Sequence, residues 1–322
     1  MGKSVVFMFS GQGSQYYQMG RELFEHHPVF RKWMLRLNDV VVGLIGESVV
    51  DQVYARRPVE QFNRTLYSHP AIFMVEYSLA QTLMESGISP DYVLGTSLGE
   101  FASAALADVM KAEELLEVIV KQAEYFETYC EPGGMIAIIH DAQLYHEVPL
   151  IRENSELASV NYDEHFVISG QDGRLREIIR YLKQRKILHQ SLPVTYGFHS
   201  SYIDPAAVAF KNYVFRRSYQ LPRKPFISSL HGASMEKISH DYFWDVVRMP
   251  IQFSKAIQKL ESGADTIYLD LGPGGTLANF AKRNMTDQSN SRSYTIITPF
   301  HQELKNLLKI KEIVAAKTIG TA

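Results

Sequence analysis

The chain has 322 residues, of which 46% are hydrophobic and 21% charged, a balance that places it among globular proteins with room for one large domain carrying an insertion, or for two domains. Its 33 basic and 35 acidic residues leave a net charge of −2, which argues against a nucleic-acid partner. The single cysteine, Cys130, cannot form an internal disulfide, no Cys/His cluster has metal-ligand spacing, and no apolar stretch reaches the length of a membrane span. The expectation is a cytoplasmic protein without metal, bound cofactor or membrane contact.

In chain order, Val5 to Phe9 reads as a buried strand ending in the turn Ser10-Gly11-Gln12-Gly13, with a helix to follow. Ser68 and Pro70 open a helical pattern through Gly87 that is apolar on nearly every side, as a helix deep in a core would be. A short strand, Tyr92 to Leu94, meets a glycine turn, and Glu100 to Leu106 and Ala112 to Tyr129 read as helices. Strand, turn and helix in repetition predict an α/β fold with a largely parallel sheet.

Beyond Pro132-Gly133-Gly134 the pattern changes. A strand (Met135 to Ile139), a helix (about Ala142 to Asn154), two strands (Ala158 to Tyr162 and His165 to Ser169), a helix (Gly173 to Arg185) and a strand (Ile187 to Val194) form a β-α-β-β-α-β series, the ferredoxin-like pattern. We expect an inserted subdomain at 132–195, flanked by 1–131 and 196–322 of the main one. Thr266 to Leu271 is a further strand, stopped by Gly272-Pro273-Gly274-Gly275 before another helix, and 315–322 reads as a frayed tail.

Gly95-Thr96-Ser97-Leu98-Gly99 is a G-x-S-x-G elbow between a strand and a helix, the setting in which a serine hydroxyl is lifted to the sheet edge as a nucleophile. The backbone N–H of Leu98 would face a developing oxyanion. A serine needs a base, and among 11 histidines His199 stands out because the chain there leaves the insertion and re-enters the main domain, at the cleft between them. The glycine turns do not favour phosphate binding: Tyr16 stands where the third glycine of G-x-G-x-x-G belongs, and no Walker lysine follows.

Phe9-Ser10-Gly11-Gln12-Gly13-Ser14-Gln15, the elbow through Phe101, Val167-Ile168-Ser169-Gly170, Phe198-His199-Ser200, Met249-Pro250-Ile251-Gln252-Phe253 and Leu271-Gly272-Pro273-Gly274 occur in an order that resembles the malonyl-CoA:acyl carrier protein transacylases and polyketide synthase acyltransferase domains. The resemblance implies an α/β-hydrolase-like subdomain with a ferredoxin-like insertion. It also implies Ser97 as nucleophile, His199 as base and acid, N–H groups of Gln12 and Leu98 as oxyanion hole, and a carbonyl near Val246 orienting His199. The substrate would be an acyl thioester on CoA or on the phosphopantetheine of an acyl carrier protein, the latter also being the expected partner.

The departures concern the acyl pocket implied by the same resemblance, where Phe198 is kept. The malonyl-binding arginine, 25 residues beyond the serine, is Gln122; Thr96 replaces the usual histidine, His69 a glutamine, and of an asparagine-serine-proline stretch only Asn161 is kept. An unpaired buried carboxylate costs on the order of 3–5 kcal/mol, roughly a hundredfold or more against malonyl. Keeping the catalytic pair without the carboxylate clamp resembles the free-standing acyl hydrolases of polyketide biosynthesis. The alternatives are a transacylase for an uncharged acyl group, an idle carrier-docking homologue, and an esterase whose acidic triad member would be Asp141, Asp163 or Asp172.

Overall fold

The computed structural model describes residues 3–54 and 61–319. The basic pair Arg56-Arg57 lies outside the described residues. The first half holds β1 (Ser4–Phe9), then the helices α1 (Arg21–His26), α2 (Pro28–Ile45), α3 (Val49–Tyr54) and α4 (Thr65–Glu85), β2 (Tyr92–Gly95), α5 (Gly99–Leu106) and α6 (Ala112–Tyr129); where one helix was expected after β1 there are three before α4. The helix α4 begins before Pro70 and carries that proline inside it. Its first turn is held from α6, where Glu127 accepts from the Leu66 N–H at 3.1 Å and pairs with Arg64 at 3.2 Å. Residues 68–80 of α4 are buried without interruption, which is why the sequence there is apolar on all sides.

Next come β3 (Gly133–Ile138), α7 (Gln143–Glu147), α8 (Pro149–Arg152), β4 (Glu156–Tyr162), β5 (His165–Gln171), α9 (Asp172–Gln184) and β6 (His189–Ser191). The four strands form a separate antiparallel sheet in the order β4-β5-β3-β6, with its own apolar core. Two expectations need correcting. The single helix expected at 142–154 is two, because Pro149 lacks an N–H and drives Val148 to an extended conformation (φ −101°, ψ 103°). The strand expected from Ile187 to Val194 is regular only over His189–Ser191, with single backbone bonds beyond it at Leu188 and Leu192 and Pro193 closing its far side.

The chain then returns through a 3₁₀ turn (Ser201–Ala206), α10 (Ala207–Phe215), β7 (Phe226–Ser228), β8 (Ala233–Met235), α11 (Tyr242–Arg248), α12 (Phe253–Glu261), β9 (Thr266–Asp270), α13 (Thr276–Asn284), β10 (Arg292–Thr295) and α14 (Glu303–Ile319). The stretch read as a frayed tail from 315 continues this last helix to Ile319, and 320–322 lie outside the described residues. The main sheet has six strands in the order β10-β9-β1-β2-β7-β8, parallel except for the edge pair β7/β8. After β1 the chain adds strands on one side through β8 and then crosses to the other for β9 and β10. In such sheets the ligand crevice lies beyond the carboxyl ends of the strands at the point where the order reverses, here beside β1.

Candidate active site

Three turns leave the carboxyl ends of β1, β2 and β9, and they interlock through glycines. A Cβ on Gly99 would lie 2.0 Å from the Phe9 carbonyl oxygen, and one on Gly11 would lie 2.9 Å from Ser97 Cβ. Only residues without side chains let the β1 turn close over the elbow. Ser97 itself sits at φ +53°, a left-handed conformation rare for serine and held by its surroundings.

Ser97 Oγ donates to His199 Nε2 at 2.8 Å, and His199 Nδ1 donates to the Met249 carbonyl at 2.8 Å. The His199 N–H donates to Val247 O, also at 2.8 Å, so both backbone and ring are tied to the end of α11. The orienting carbonyl is therefore that of Met249, which corrects the expectation of Val246. Val246 is inside α11, where carbonyls run along the helix axis; Met249 has left the helix (φ −88°, ψ 155°) because Pro250 forces its predecessor out of helical geometry. Its carbonyl turns aside and is free to accept. The segment is fixed from the insertion too, since the Ile251 N–H donates to Ala158 O at 2.9 Å. Since the carbonyl occupies Nδ1, none of Asp141, Asp163 and Asp172 fills the acidic place of an esterase triad.

Burial drives the His199 pKa down to about 4, opposed by its bond to Met249, so the ring is neutral near pH 7 with Nε2 free to accept a proton. The N–H groups of Gln12 and Leu98 meet no acceptor among the described residues.

The dyad opens on a cleft of about 350 Å³ between the two sheets. Thr96, Asn161 and Phe198 line it together with Gln12, Ser97 and His199. His69 and Gln122, expected in the pocket, are not on its walls. They are buried where α4 and α6 pack together, with the His69 ring 5.5 Å from that of Phe198, which does face the cleft. Gln122 Nε2 has only a 3.5 Å contact to Phe243 O, and Gln122 Oε1, His69 Nδ1 and Thr96 Oγ1 lack partners among the described residues. Burial lowers the His69 pKa to about 3, leaving it neutral. Among the described residues that line the cleft there is no Asp, Glu, Lys or Arg.

Two buried carboxyls that sequence reasoning passed over hold this frame. Glu100 accepts from the Ser229 N–H at 2.6 Å, from the hydroxyls of Ser228 and Ser229, and from Tyr242 OH at 2.9 Å, joining the elbow helix to α11. Desolvation raises its pKa to about 7, against these hydrogen bonds. Glu76 accepts from the Ser10 N–H at 2.6 Å and Ser10 Oγ at 2.8 Å at the start of the β1 turn. For Glu76, a glutamate following directly on the apolar run Ala71–Val75 of α4 was the available signal.

Comparison with known proteins decides the family. The acyl transferase domain model matches residues 6–321. The chain belongs to the acyltransferase domain family. It is 49% identical over 309 residues to the polyketide biosynthesis acyltransferase homolog PksD of Bacillus subtilis strain 168, covering 95% of each chain. To the corresponding homolog BaeD of Bacillus velezensis it is 47% identical over 316 residues, covering 98% of each. The acyltransferase domain from the second module of the salinomycin polyketide synthase superposes with a TM-score of 0.85 at 28% identity, over 96% of this chain and 72% of that one. The α/β fold with its second, antiparallel sheet is that of the acyltransferase domains.

Proposed function

We propose that this protein removes uncharged acyl groups from acyl carrier protein thioesters in polyketide biosynthesis, by way of an acyl-Ser97 intermediate that water hydrolyses. The observation that carries the reading is the Ser97–His199–Met249 relay opening on a cleft without a charged wall residue. Ser97 Oγ attacks the thioester carbonyl as its proton passes to His199 Nε2, and the resulting imidazolium keeps its Nδ1–H on Met249. The Gln12 and Leu98 N–H groups receive the oxyanion. Collapse breaks the C–S bond, and the His199 proton leaves with the thiol. Water then gives a proton to His199 and attacks the ester, releasing the carboxylic acid and returning the proton to Ser97.

A malonyl carboxylate would enter this cleft without a cation to meet it, at a cost of several kcal/mol. The place in polyketide biosynthesis is supported by the kinship with chains named as polyketide biosynthesis acyltransferase homologs, matched over nearly their whole length. Transfer is the second reading, favoured by membership of an acyltransferase family. Purified protein given acetyl-carrier protein is expected to release acetate. Transfer from acetyl-CoA to carrier protein outpacing that release would overturn the hydrolase and leave the transacylase.

A further inference from the structure

Ser97 and His199 meet from two separate segments: the nucleophile stands on the elbow before α5, and the base takes its orientation from a carbonyl just beyond the end of α11. Glu100 touches both segments, is fully buried and is not among the residues that line the cleft. Its backbone belongs to the elbow. The Glu100 N–H donates to Ser97 O at 2.9 Å, and a Cβ on Gly95 would lie 2.4 Å from Glu100 Cα, so turn and glutamate move together. From this anchor the carboxyl reaches both flanks of Met249. On one flank Tyr242 OH donates to Oε2 at 2.9 Å, and Tyr242 opens α11, the helix that ends at Arg248 directly before Met249. On the other, Oε1 accepts the Ser229 N–H at 2.6 Å, and Ser229 O in turn accepts the Gln252 N–H at 2.6 Å, shortly past Met249.

We propose that Glu100 is a positioning residue for the reaction at Ser97, a strut that fixes the nucleophile against its base by bracing the Met249 carbonyl from both sides. This inference rests on the acyl-Ser97 reading of the dyad. The Ser97–His199 bond weakens steeply as its angle and length depart from the ideal, and a misplacement of about 1 Å costs on the order of a hundredfold in rate. Glu100 also satisfies buried donors, but that role is met by any set of bonds and does not require both routes to end beside the carbonyl that holds His199. The strut outlasts protonation of the carboxyl: Oε2–H then donates to the Tyr242 oxygen, whose own proton goes to Ser228 Oγ at 2.9 Å. The acid limb of the reaction therefore stays with His199.

The test reads the reactivity of Ser97 in two ways. One is acylation by the acetyl thioester of N-acetylcysteamine; the other is phosphonylation by an alkyl fluorophosphonate, in which Ser97 Oγ bonds to phosphorus, its proton passes to His199 and fluoride leaves. Tyr242→Phe keeps the ring and removes one donor, and is expected to lower the maximal rate of acylation about tenfold or more with little change in the half-saturating concentration, the yield of a lost bond to a buried carboxylate. Glu100→Gln, with Oε1 accepting from the Ser229 N–H and Nε2 donating to the Tyr242 oxygen, keeps most of the rate, whereas Glu100→Ala loses it. Because Tyr242 acts through Met249, adding Tyr242→Phe to Pro250→Ala lowers the rate by much less than Tyr242→Phe does alone. A full rate in Tyr242→Phe, a Glu100→Gln protein as slow as Glu100→Ala, or losses that multiply in the Tyr242→Phe Pro250→Ala double variant overturns the strut. Tyr242→Phe and the double variant decide the matter if Glu100→Ala does not fold. Wild-type protein labelled at Ser97 by the fluorophosphonate but not by the thioester refutes the thioester reading instead, and the same variants then report on the strut through the rate of phosphonylation.

Discussion

Gly99→Ala probes the contact on which the catalytic geometry depends. The added Cβ would lie 2.0 Å from the Phe9 carbonyl oxygen, 2.4 Å from its carbon and 2.8 Å from the Ser10 oxygen, all backbone atoms. Restoring ordinary contact requires the end of β1 to retreat by more than ~1 Å. That retreat breaks the 2.9 Å bond from the Thr96 N–H to Phe9 O, which aligns the elbow with the β1 turn. Overpacking of this kind costs about 1–3 kcal/mol, and a stranded buried donor and acceptor add about 1–3 kcal/mol, for a total of roughly 3 kcal/mol or more. In urea, with a slope of about 3 kcal/mol/M, the midpoint should fall by about 1 M. Acylation of Ser97 should fall further than stability does, because the retreat carries the Gln12 N–H away from the oxyanion. The control is Gly43→Ala in α2, where a Cβ meets nothing within 4 Å and helix propensity should add about 0.5 kcal/mol. A Gly99→Ala protein with an unchanged midpoint and full acylation would refute the reasoning.

His199, with a pKa near 4, should give kcat/KM an acid limb well below that of an ordinary histidine: activity holds as pH falls through 6.5 and is lost only as Nε2 protonates near 4. A limb at 6.5 in a pH–rate profile would show that the ring is not desolvated. Gln122→Arg buries a cation behind the cleft wall, in a place where Gln122 already lacks a full set of partners, and should cost about 3–5 kcal/mol of stability; malonyl-CoA should label Ser97 no faster, as read by intact mass, and a gain would show that a side chain at 122 reaches the acyl group after all. Pro250→Ala should let α11 run on, turn the Met249 carbonyl into the helix and lower kcat with little change in KM; unchanged kcat would remove Met249 from the relay.

The elbow and the order of strands and helices were legible because close approach and burial leave marks on single residues: Gly95 and Gly99 around Ser97, and apolar runs of the right length for β1, β2 and β9. The ferredoxin-like order was legible for the same reason. The three-residue strands β7 and β8 were not, being too short to show a period. Met249 was missed because the choice of carbonyl depends on the residue at which α11 ends, although Pro250 carried the signal. His69 and Gln122 were assigned to the pocket by resemblance, and the packing of α4 on α6 sets them behind its wall. Glu76 and Glu100 act through buried hydrogen bonds to distant segments; the apolar surroundings of Glu76 marked it as buried, but no local pattern reveals the partners of either.

The central claim concerns what forms on Ser97 and how it leaves. Intact mass spectrometry after mixing with acetyl-carrier protein and with malonyl-carrier protein follows both at once. The account predicts an acetyl adduct that is absent in Ser97→Ala, decays in buffer without added thiol and releases acetate, with malonyl adduct at least about a hundredfold slower to form. An adduct that persists until a carrier thiol is supplied, or malonyl labelling as fast as acetyl, would contradict it.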